Sequence, residues 1–355
     1  MDRGKLAANV VRHAYRPFDV RWLYWEPQTK LLDEKRAEYW PHIKPNNLAL
    51  SAAQHLRKGE EEPQFVVTAN LGARHLIERG ALMFPCKRRV QYGTSEEWVP
   101  NLSQSVQTFL TARALPPETI FRHIVATLHA PSYRTENAGA LRMDWPRVPL
   151  PADSDTLRAS ADLGATLAAL LDPESPAPGV STGALRPGLR CLGLPAKRSG
   201  KSLETADLAL TAGWGSTQNT RSGSTIVMPG RGLTAERDYT ARERAALEAE
   251  GKTLGLSSEI FALLGARTLD VHLNAEAFWT NVPPRVWDYT LGGYQVIKKW
   301  LSYREQSVLG RALKPGEAAY VSEMIRRIAA ILLMGPALDA NYAAAKANAV
   351  EWKER

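Results

Sequence analysis

Residues Trp279–Arg311 read WTNVPPRVWDYTLGGYQVIKKWLSYREQSVLGR, and this stretch carries the strongest structural signal in the chain. On a helical wheel of about 100° per residue, the residues from position 294 onward separate into an aromatic-rich apolar half and a polar half. The apolar half holds Tyr294, Val296, Ile297, Trp300, Leu301 and Tyr303, and the polar half holds Gln295, Lys298, Lys299, Ser302 and Glu305. The pattern predicts a helix over 294–305.

Neighbouring residues delimit this helix and give it a packing partner. Gly292-Gly293 breaks the chain before the helix, and Pro283-Pro284 stiffens the approach to it. Arg304 falls in the apolar half, so it should pair, cap a neighbouring carbonyl or extend its charged head to water. The aromatic half is expected to pack on a strongly amphipathic helix predicted over 316–334.

Composition limits the class of protein. The chain has 355 residues, 44% of them hydrophobic, which suits one large globular domain or two ordinary ones. No apolar run reaches the roughly 18 residues that span a membrane, and no signal peptide is apparent. Two cysteines, Cys86 and Cys191, are too few for a disulfide framework, and the seven histidines lack zinc-site spacing. We therefore expect a cytoplasmic protein without a structural metal or a membrane segment.

Charge and aromatic content favour an interaction surface. The chain carries 45 Lys and Arg against 37 Asp and Glu, a net charge of +8, which is compatible with a polyanionic partner. Ten tryptophans and eleven tyrosines stand against seven phenylalanines, and Trp and Tyr are typical of surfaces that are partly apolar and partly polar.

The order of predicted elements indicates an α+β fold, with mixed sheet elements, clustered helices and a helical C-terminal part. Strands are expected near the start, and a short helix is expected at LLDEKRAEYW, residues 31–40. From residue 172 the chain becomes rich in Pro, Gly and Ser, which predicts turns and short strands at 189–194, 208–211 and 224–228. We divide the chain into an N-terminal part (1-171), a basic Gly/Pro-rich segment (172-275) and a C-terminal helical part (276-355).

Motifs for catalysis are missing from the sequence. There is no phosphate-binding loop of the form GxxxxGK[ST], no dinucleotide fingerprint and no nucleophile elbow. A glycine-rich cofactor loop is also missing. The Asn/Asp-Pro-Pro-aromatic tetrapeptide of an amino-methyltransferase is missing too, because Val282 separates Asn281 from Pro283-Pro284 and Arg285 takes the place of the aromatic residue. Cys86, His123 and His129 fit packing roles better than chemistry. The sequence gives no catalytic, cofactor-binding or metal-binding residues, and we expect no catalysis by this chain alone.

Three blocks of sequence resemble a known family. They are YRPFD with RWLYW (15–25); IVATLHAPSYR (124–134) with WPRVP (145–149); and VWDYTLGGYQVIKKWLSYR (286–304) with GPALDANY (335–342). In this order they resemble the C-terminal specificity region of type ISP restriction–modification enzymes and related adenine-N6 DNA methyltransferases. Segments between the blocks, TAGWG (211–215) and MPGRG (228–232), resemble it too, so the likeness covers nearly the whole chain.

The resemblance implies sequence-specific recognition of duplex DNA for an enzyme of phage defence. In the family this region follows a methyltransferase domain, which binds S-adenosylmethionine, and nuclease and helicase-type domains in the long members. The expected partners are double-stranded DNA and a methyltransferase domain or subunit. Loops are the expected place of base recognition, because readers of different sequences should differ there, whereas the invariant-looking GGYQVIKKWLSYRE wording suits a scaffold.

Our candidates for DNA contact are basic or amide side chains, which neutralise phosphates or read base edges. The two sets in the N-terminal and middle parts are Lys87, Arg88 and Arg89, and Arg190, Lys197, Arg198, Lys201 and Arg221. Gln295, Lys298 and Lys299 are further candidates, for which a merely solvated helix face is an equal alternative.

Two other functions stay open at this stage. The chain could be a complete DNA methyltransferase with unrecognised motifs, in which case it would bind S-adenosylmethionine by itself. It could also be an interaction subunit that docks a methyltransferase or nuclease partner through its Trp- and Tyr-rich surface. Binding to duplex that weakens steeply with salt separates recognition from docking.

Overall fold

A computed structural model describes residues 3–55, 64–78, 80–221 and 223–351 of the chain. Its strands, in chain order, are β1 Val10–Arg16, β2 Asp19–Tyr24, β3 Ala49–Ala52, β4 Val66–Thr68, β5 Leu71–Gly72, β6 Leu82–Pro85, β7 Lys87–Tyr92, β8 Ser95–Pro100, β9 Leu194–Lys197, β10 Gly215–Asn219, β11 Thr225–Pro229, β12 Thr234–Arg237, β13 Thr268–His272, β14 Ala277–Val282, β15 Thr290–Leu291 and β16 Tyr294–Gln295.

The α-helices are α1 Arg3–Ala8, α2 Gln104–Thr111, α3 Glu118–His129, α4 Pro131–Met143, α5 Ser154–Leu171, α6 Pro187–Arg190, α7 Ala241–Leu254, α8 Ile260–Leu264, α9 Pro284–Trp287, α10 Val296–Ser302, α11 Gln306–Leu309, α12 Pro315–Leu333 and α13 Gly335–Ala347. Short 3-10 turns lie at Trp40–His42, Arg74–Leu76 and Thr205–Leu208. The predicted α+β class is confirmed, because small, mostly antiparallel sheets and clustered helices share the chain.

The chain divides into two compact units, each built from separate pieces of sequence. Unit 1 comprises residues 1–175, 290–294 and 335–355, and unit 2 comprises residues 176–289 and 295–334. The three-part division at 171 and 275 stays a prediction.

Unit 1 combines three small sheets with a helical cluster. The sheet orders are β2-β1-β5, β4-β3-β6 and β7-β8, and only the β1–β5 pair among them is parallel. Helices α3, α4, α5 and α13 pack together. Asp339 of α13 joins this cluster, since its Oδ1 accepts the backbone N–H of Ser132 at 2.7 Å and thereby caps the first turn of α4.

Unit 2 is built on the sheet β12-β13-β14-β9, whose neighbouring strands are all antiparallel. The buried helix α12 packs beside it, and the indole Nε1 of Trp279 in β14 donates to the carbonyl of Ala318 at 3.1 Å. Ser322 ties the same helix to the loop before β9, where its hydroxyl donates to the Gly193 carbonyl at 2.5 Å. These two contacts satisfy the Trp279 indole N–H and the Ser322 hydroxyl inside the apolar core of the unit.

The helix predicted over 294–305 is shorter than expected and spans Val296–Ser302. Gly292 and Gly293, both at positive φ, make a turn that pairs Thr290–Leu291 with Tyr294–Gln295, so the helix begins only at Val296. Its predicted packing on α12 is confirmed by the rings of Trp300 and Tyr320, whose centroids lie 5.8 Å apart.

Arg304 behaves as predicted. Its Nη1 donates to the carbonyl of Trp300 at 3.2 Å, and its guanidinium lies 3.7 Å from the Trp300 ring centroid. The arginine in the apolar half thus caps a carbonyl at the end of α10 and covers an aromatic face.

The helix predicted at LLDEKRAEYW is wrong. Arg36 sits at φ 54°, in the left-handed region that interrupts a helix, and its guanidinium donates to the buried carbonyl of Ala81 at 2.7 Å. The indole Nε1 of Trp25 donates to the carbonyl of Lys35 at 2.8 Å. The ring of Trp25 stacks on that of Trp40, with their centroids 4.1 Å apart. Tertiary contacts therefore override the local pattern.

The short strands predicted in the Gly/Pro-rich segment are partly right. The expected strand at 224–228 is β11. The strand expected at 189–194 is displaced, because the chain makes the turn α6 first and pairs with β14 only from Leu194. The strand expected at 208–211 is wrong, since Thr205–Leu208 forms a 3-10 turn there. The carboxylate of Asp207 caps this turn by accepting the backbone N–H of Glu204.

In the described part of the chain, no single helix has the length and apolarity to cross a membrane. Helix α12 reaches both only when it is counted together with α13, across the break between them.

Candidate nucleic-acid interface

The basic triplet 87–89 lies on the first strand of the β7–β8 hairpin in unit 1. Lys87 is engaged by Glu118, with Nζ and Oε1 2.6 Å apart, and Arg89 forms an ion pair with Glu96. Arg88 is exposed and makes no ion pair with any described residue. Of the three predicted contacts, Arg88 is the cation most available to a phosphate.

The basic residues of the middle segment also separate into engaged and available cations. Lys197, on β9, forms an ion pair with Asp207 at 2.7 Å. Arg190, Arg198 and Lys201 are exposed, and their side chains have no ion-pair partner within the described ranges. Exposed cations without a carboxylate partner are the ones that can neutralise phosphates without breaking an internal contact.

Arg221 lies in the turn of a two-stranded ribbon, which we define as strands β10 and β11 with the turn between them. The strands pair antiparallel without a bulge, from Gly215 opposite Pro229 to Asn219 opposite Thr225. Nearly all strand residues are exposed, the exceptions being the buried Gly215 and the half-buried Val227. Both faces of the ribbon therefore meet solvent.

The ribbon surface is polar and apolar but carries no acidic side chain, since residues 213–232 contain neither Asp nor Glu. Because side chains alternate along a strand and directly paired residues share a face, the register defines two faces. One face holds Ser216, Gln218, Ile226 and Met228, and the other holds Thr217, Asn219, Thr225 and Val227. Ile226 is 42% exposed and Met228 41%, so two partly exposed apolar side chains lie next to each other on the first face.

The root of the ribbon is held by the C-terminal part of Trp279–Arg311, which we call the opening stretch. Trp214 is fully buried, and its indole Nε1 donates to the carbonyl of His272 at 2.8 Å. The carboxylate of Glu305, which is only 6% exposed, accepts the backbone N–H groups of Gly213 at 3.1 Å and Trp214 at 2.8 Å. Glu305 thus fixes the backbone from which the ribbon projects.

Two glycines allow the ribbon to sit tightly on its support. A Cβ placed on Gly215 would lie 2.0 Å from the carbonyl oxygen of Ser302, at the end of α10. A Cβ on Gly230 would lie 2.0 Å from the carbonyl oxygen of Gly213. Only glycine permits such close backbone approaches, so these positions require it.

The three candidates on the polar side of the opening stretch are differently placed. Gln295 donates from Nε2 to the carbonyl of Trp287 at 2.9 Å, and Lys299 lies 4.8 Å from the ring centroid of Tyr303. Lys298 is half-buried and close enough to Asp288 to counteract the rise that burial causes in the pKa of that carboxyl group. All three side chains therefore interact with other residues of the chain.

Sequence reasoning missed the amide side chains of the ribbon. Gln218 makes no side-chain hydrogen bond with any described residue, and Asn219 uses its Oδ1 to accept from Thr225 at 3.0 Å. A search restricted to clusters of positive charge passes over them. The signal that could have found them is a stretch of alternating strand residues, STQNTRSGSTIVM, without the apolar face expected of a core strand.

His123 and Cys86, two titratable residues considered in the sequence analysis, are held by hydrogen bonds or by burial. His123 is buried between the hydroxyl of Ser160, 2.7 Å from Nδ1, and the carbonyl of Pro149, 2.8 Å from Nε2. Burial raises the pKa of the Cys86 thiol to about 11. Among the described residues, no cluster of three or more His, Cys, Asp or Glu could hold a metal ion.

Comparison with known proteins adds a family and several structural neighbours. The model of the family described as the Type ISP C-terminal specificity domain matches residues 2–322. No curated protein sequence matches the chain.

Three solved structures with a similar fold contain DNA or a DNA substrate mimic. The chain is similar to DrdV in a cryo-electron-microscopy DNA complex, with 18% identity, a TM-score of 0.54 and coverage of 94% of this chain and 28% of that chain. It is similar to the ATP-dependent Type ISP restriction-modification enzyme LlaBIII bound to DNA, with 12% identity, a TM-score of 0.54 and coverage of 94% and 18%.

A third neighbour is a nuclease-deletion mutant of the Type ISP restriction-modification enzyme LlaGI in complex with a DNA substrate mimic. The identity is 15%, the TM-score is 0.51 and the coverage is 94% of this chain and 24% of that one. At these identities the likeness establishes the fold. The chain spans less than a third of the length of each of the three relatives.

Proposed function

The chain belongs to the Type ISP C-terminal specificity domain family, and we propose that it is the target-recognition domain of a restriction–modification enzyme and binds duplex DNA. The observation that carries the proposal is the family match over residues 2–322. The three structural neighbours, each solved with DNA or a DNA mimic, support it.

The charges of the chain suit this function. Exposed cations that have no carboxylate partner among the described residues lie on the β7–β8 hairpin, in the segment around β9 and at the ribbon turn; they are Arg88, Arg190, Arg198, Lys201 and Arg221. Each phosphate that such a side chain neutralises releases counterions, which favours binding at low salt. These five residues are our proposed phosphate contacts, with Lys87, Arg89, Lys197, Gln295, Lys298 and Lys299 as weaker ones.

The chemistry belongs to other parts of the enzyme in this proposal. The sequence blocks shared with adenine-N6 DNA methyltransferases favour methylation of adenine, carried out by a methyltransferase domain that binds S-adenosylmethionine. Nuclease and helicase-type parts would complete an enzyme that acts against phage DNA in the prokaryotic cytoplasm. This chain would supply the choice of DNA site.

A salt series tests the proposal. The 355-residue chain is titrated with a fluorescent duplex at several salt concentrations between about 50 and 200 mM, and anisotropy reports binding. We expect affinity to fall steeply over this range. Absence of binding at about 50 mM salt would instead favour a subunit that docks a protein partner. Tight binding of S-adenosylmethionine by the chain alone, measured by calorimetry, would indicate a complete methyltransferase.

A further inference from the structure

We propose that the β10–β11 ribbon is the base-reading element, which enters the major groove and reads base edges with Gln218 and its neighbours. The inference rests on the proposed DNA recognition and names the part of the chain that performs it. It follows from the shape of the ribbon, its surface chemistry and the way its root is fixed.

The dimensions of the ribbon suit the major groove. That groove is about 12 Å wide and admits either a helix or a two-stranded β-ribbon. Two paired strands lie about 4.8 Å apart, and five residues at about 3.4 Å each extend roughly 17 Å, enough to reach past the groove depth of about 8.5 Å. The ribbon has five residues in each strand, and within the described residues these two strands form a sheet of their own.

The surface of the ribbon is complementary to DNA in charge. Residues 213–232 contain no Asp or Glu, so nothing on the ribbon repels phosphates as it approaches. Arg221 lies at the turn and Arg231 follows the second strand, and both are exposed. The two cations are placed at opposite ends of the ribbon, where they can contact phosphates while the strands between them face the bases.

The face with Gln218 carries groups that match an A·T base pair. The Gln218 amide has a donor and an acceptor, the pattern that pairs with N7 and N6 of adenine, and no described residue occupies it. Ile226 lies directly opposite Gln218 in the register and exposes an apolar side chain suited to the methyl group of thymine. A base pair would therefore cover the exposed part of Ile226 and supply the hydrogen bonds that the Gln218 amide lacks among the described residues.

The root gives the ribbon the rigidity that base reading requires. Interactions with base edges discriminate only if the side chains approach at a defined position. Glu305 holds the backbone N–H groups of Gly213 and Trp214, and Gly215 lies against the carbonyl of Ser302. Glu305 and Ser302, which contact the root, lie within Trp279–Arg311, whereas Gln218 and Ile226 lie outside it, so the support can stay constant while the reading side chains change.

A selection experiment tests the inference. The wild-type chain and the Gln218→Ala variant each select from a pool of duplexes with a randomised central segment, and the bound DNA is sequenced. We expect the wild type to enrich a defined sequence that contains an A·T pair. Gln218→Ala should lose roughly ten-fold of its preference at one such position. Its affinity for an unselected duplex should stay within about two-fold, because no phosphate contact is removed.

Arg88→Ala is the matched control. This residue lies on the other hairpin, so its variant should bind all duplexes more weakly and enrich the same sequence as the wild type. Thermal melting of both variants should match the wild type, since both side chains are exposed.

The possible outcomes distinguish the two proposals. A Gln218→Ala pool identical to that of the wild type, together with an identical Ile226→Ala pool, would overturn the ribbon as the reading element. A wild type that binds duplex without enriching any sequence would also overturn it and leave the proposed DNA binding standing. A wild type that binds no duplex at all would overturn the proposed function itself.

Discussion

The carboxylate of Glu305 accepts the backbone N–H of Trp214 at 2.8 Å, across 91 positions of sequence. Glu305 belongs to the stretch with the clearest sequence signal, and Trp214 directly precedes the ribbon that projects into solvent. The same carboxylate also accepts the N–H of Gly213, so one buried side chain satisfies two backbone donors. The opening stretch therefore acts as the support of a recognition element.

Removing this carboxylate should destabilise unit 2. Glu305→Ala leaves the buried N–H of Trp214 and the partly buried N–H of Gly213 without their acceptor, at roughly 1–3 kcal/mol for the buried group. Glu305→Gln retains one acceptor oxygen and should cost less than Glu305→Ala. Urea unfolding followed by tryptophan fluorescence measures the free energies, and Glu248→Ala, at an exposed helix position, is the control that should stay near wild type. Equal stability of Glu305→Ala and Glu248→Ala would show that the contact contributes nothing.

Adding a methyl group at Gly215 should displace the ribbon root. The new Cβ would meet the Ser302 carbonyl at 2.0 Å, so Gly215→Ala should destabilise the protein by about 1–3 kcal/mol, as overpacking does. Gly316 is a suitable control, because a Cβ there meets nothing within 4 Å and its helix favours alanine. Differential scanning fluorimetry compares the two, and a Gly215→Ala protein that melts with the wild type would contradict the close approach.

Two neighbouring cations, one at the end of β9 and one directly after it, should differ in their effect on DNA binding. Arg198→Ala removes an exposed charge and should weaken duplex binding while lowering the slope of log affinity against log salt by about one. Lys197→Ala removes a charge already paired with Asp207, so its effect on the slope should be smaller. Anisotropy titrations at four salt concentrations give both slopes. The reverse order would mean that the Lys197 ion pair opens on DNA.

Stability should fall in mild acid. Burial, and secondarily the Arg134 guanidinium, lowers the pKa of His129 to about 3. Below about pH 6.5 the histidine takes up a proton in the unfolded chain but stays neutral in the folded one. The free energy of unfolding therefore falls by up to about 1.4 kcal/mol for each pH unit between pH 6.5 and the lower folded pKa. Burial lowers the pKa of His13 and His123 in the same direction. His129→Gln should flatten the dependence of unfolding free energy on pH between 7 and 5, whereas the exposed control His55→Gln should not.

The sequence predicted the elements with strong periodicity and missed those set by tertiary contacts. The helix at 316–334 is α12 within a residue at each end, because its apolar positions recur at helical spacing. The predicted helix at 31–40 fails, because Arg36 adopts positive φ to reach Ala81. No local pattern reports a contact 45 residues away.

For the candidate site, charge alone was an incomplete guide. It found Arg221 at the ribbon turn but could not separate Lys197, which faces Asp207, from Arg198, which is exposed. That separation depends on which carboxylates the fold brings near. The family resemblance favours a scaffold role for residues 292–305, which stays a prediction, and the ribbon is visible only in the pairing of β10 and β11.

The most direct measurement is a photo-crosslink from the ribbon to DNA. Ile226 is replaced by the photoreactive amino acid p-benzoylphenylalanine, and the chain is irradiated on the duplex that the wild type selects. We expect a covalent protein–DNA adduct that maps to bases within the selected site, whereas the same group at the exposed position Glu248 should give little adduct. An adduct yield at 226 no greater than at 248 would contradict the ribbon as the element that reads DNA.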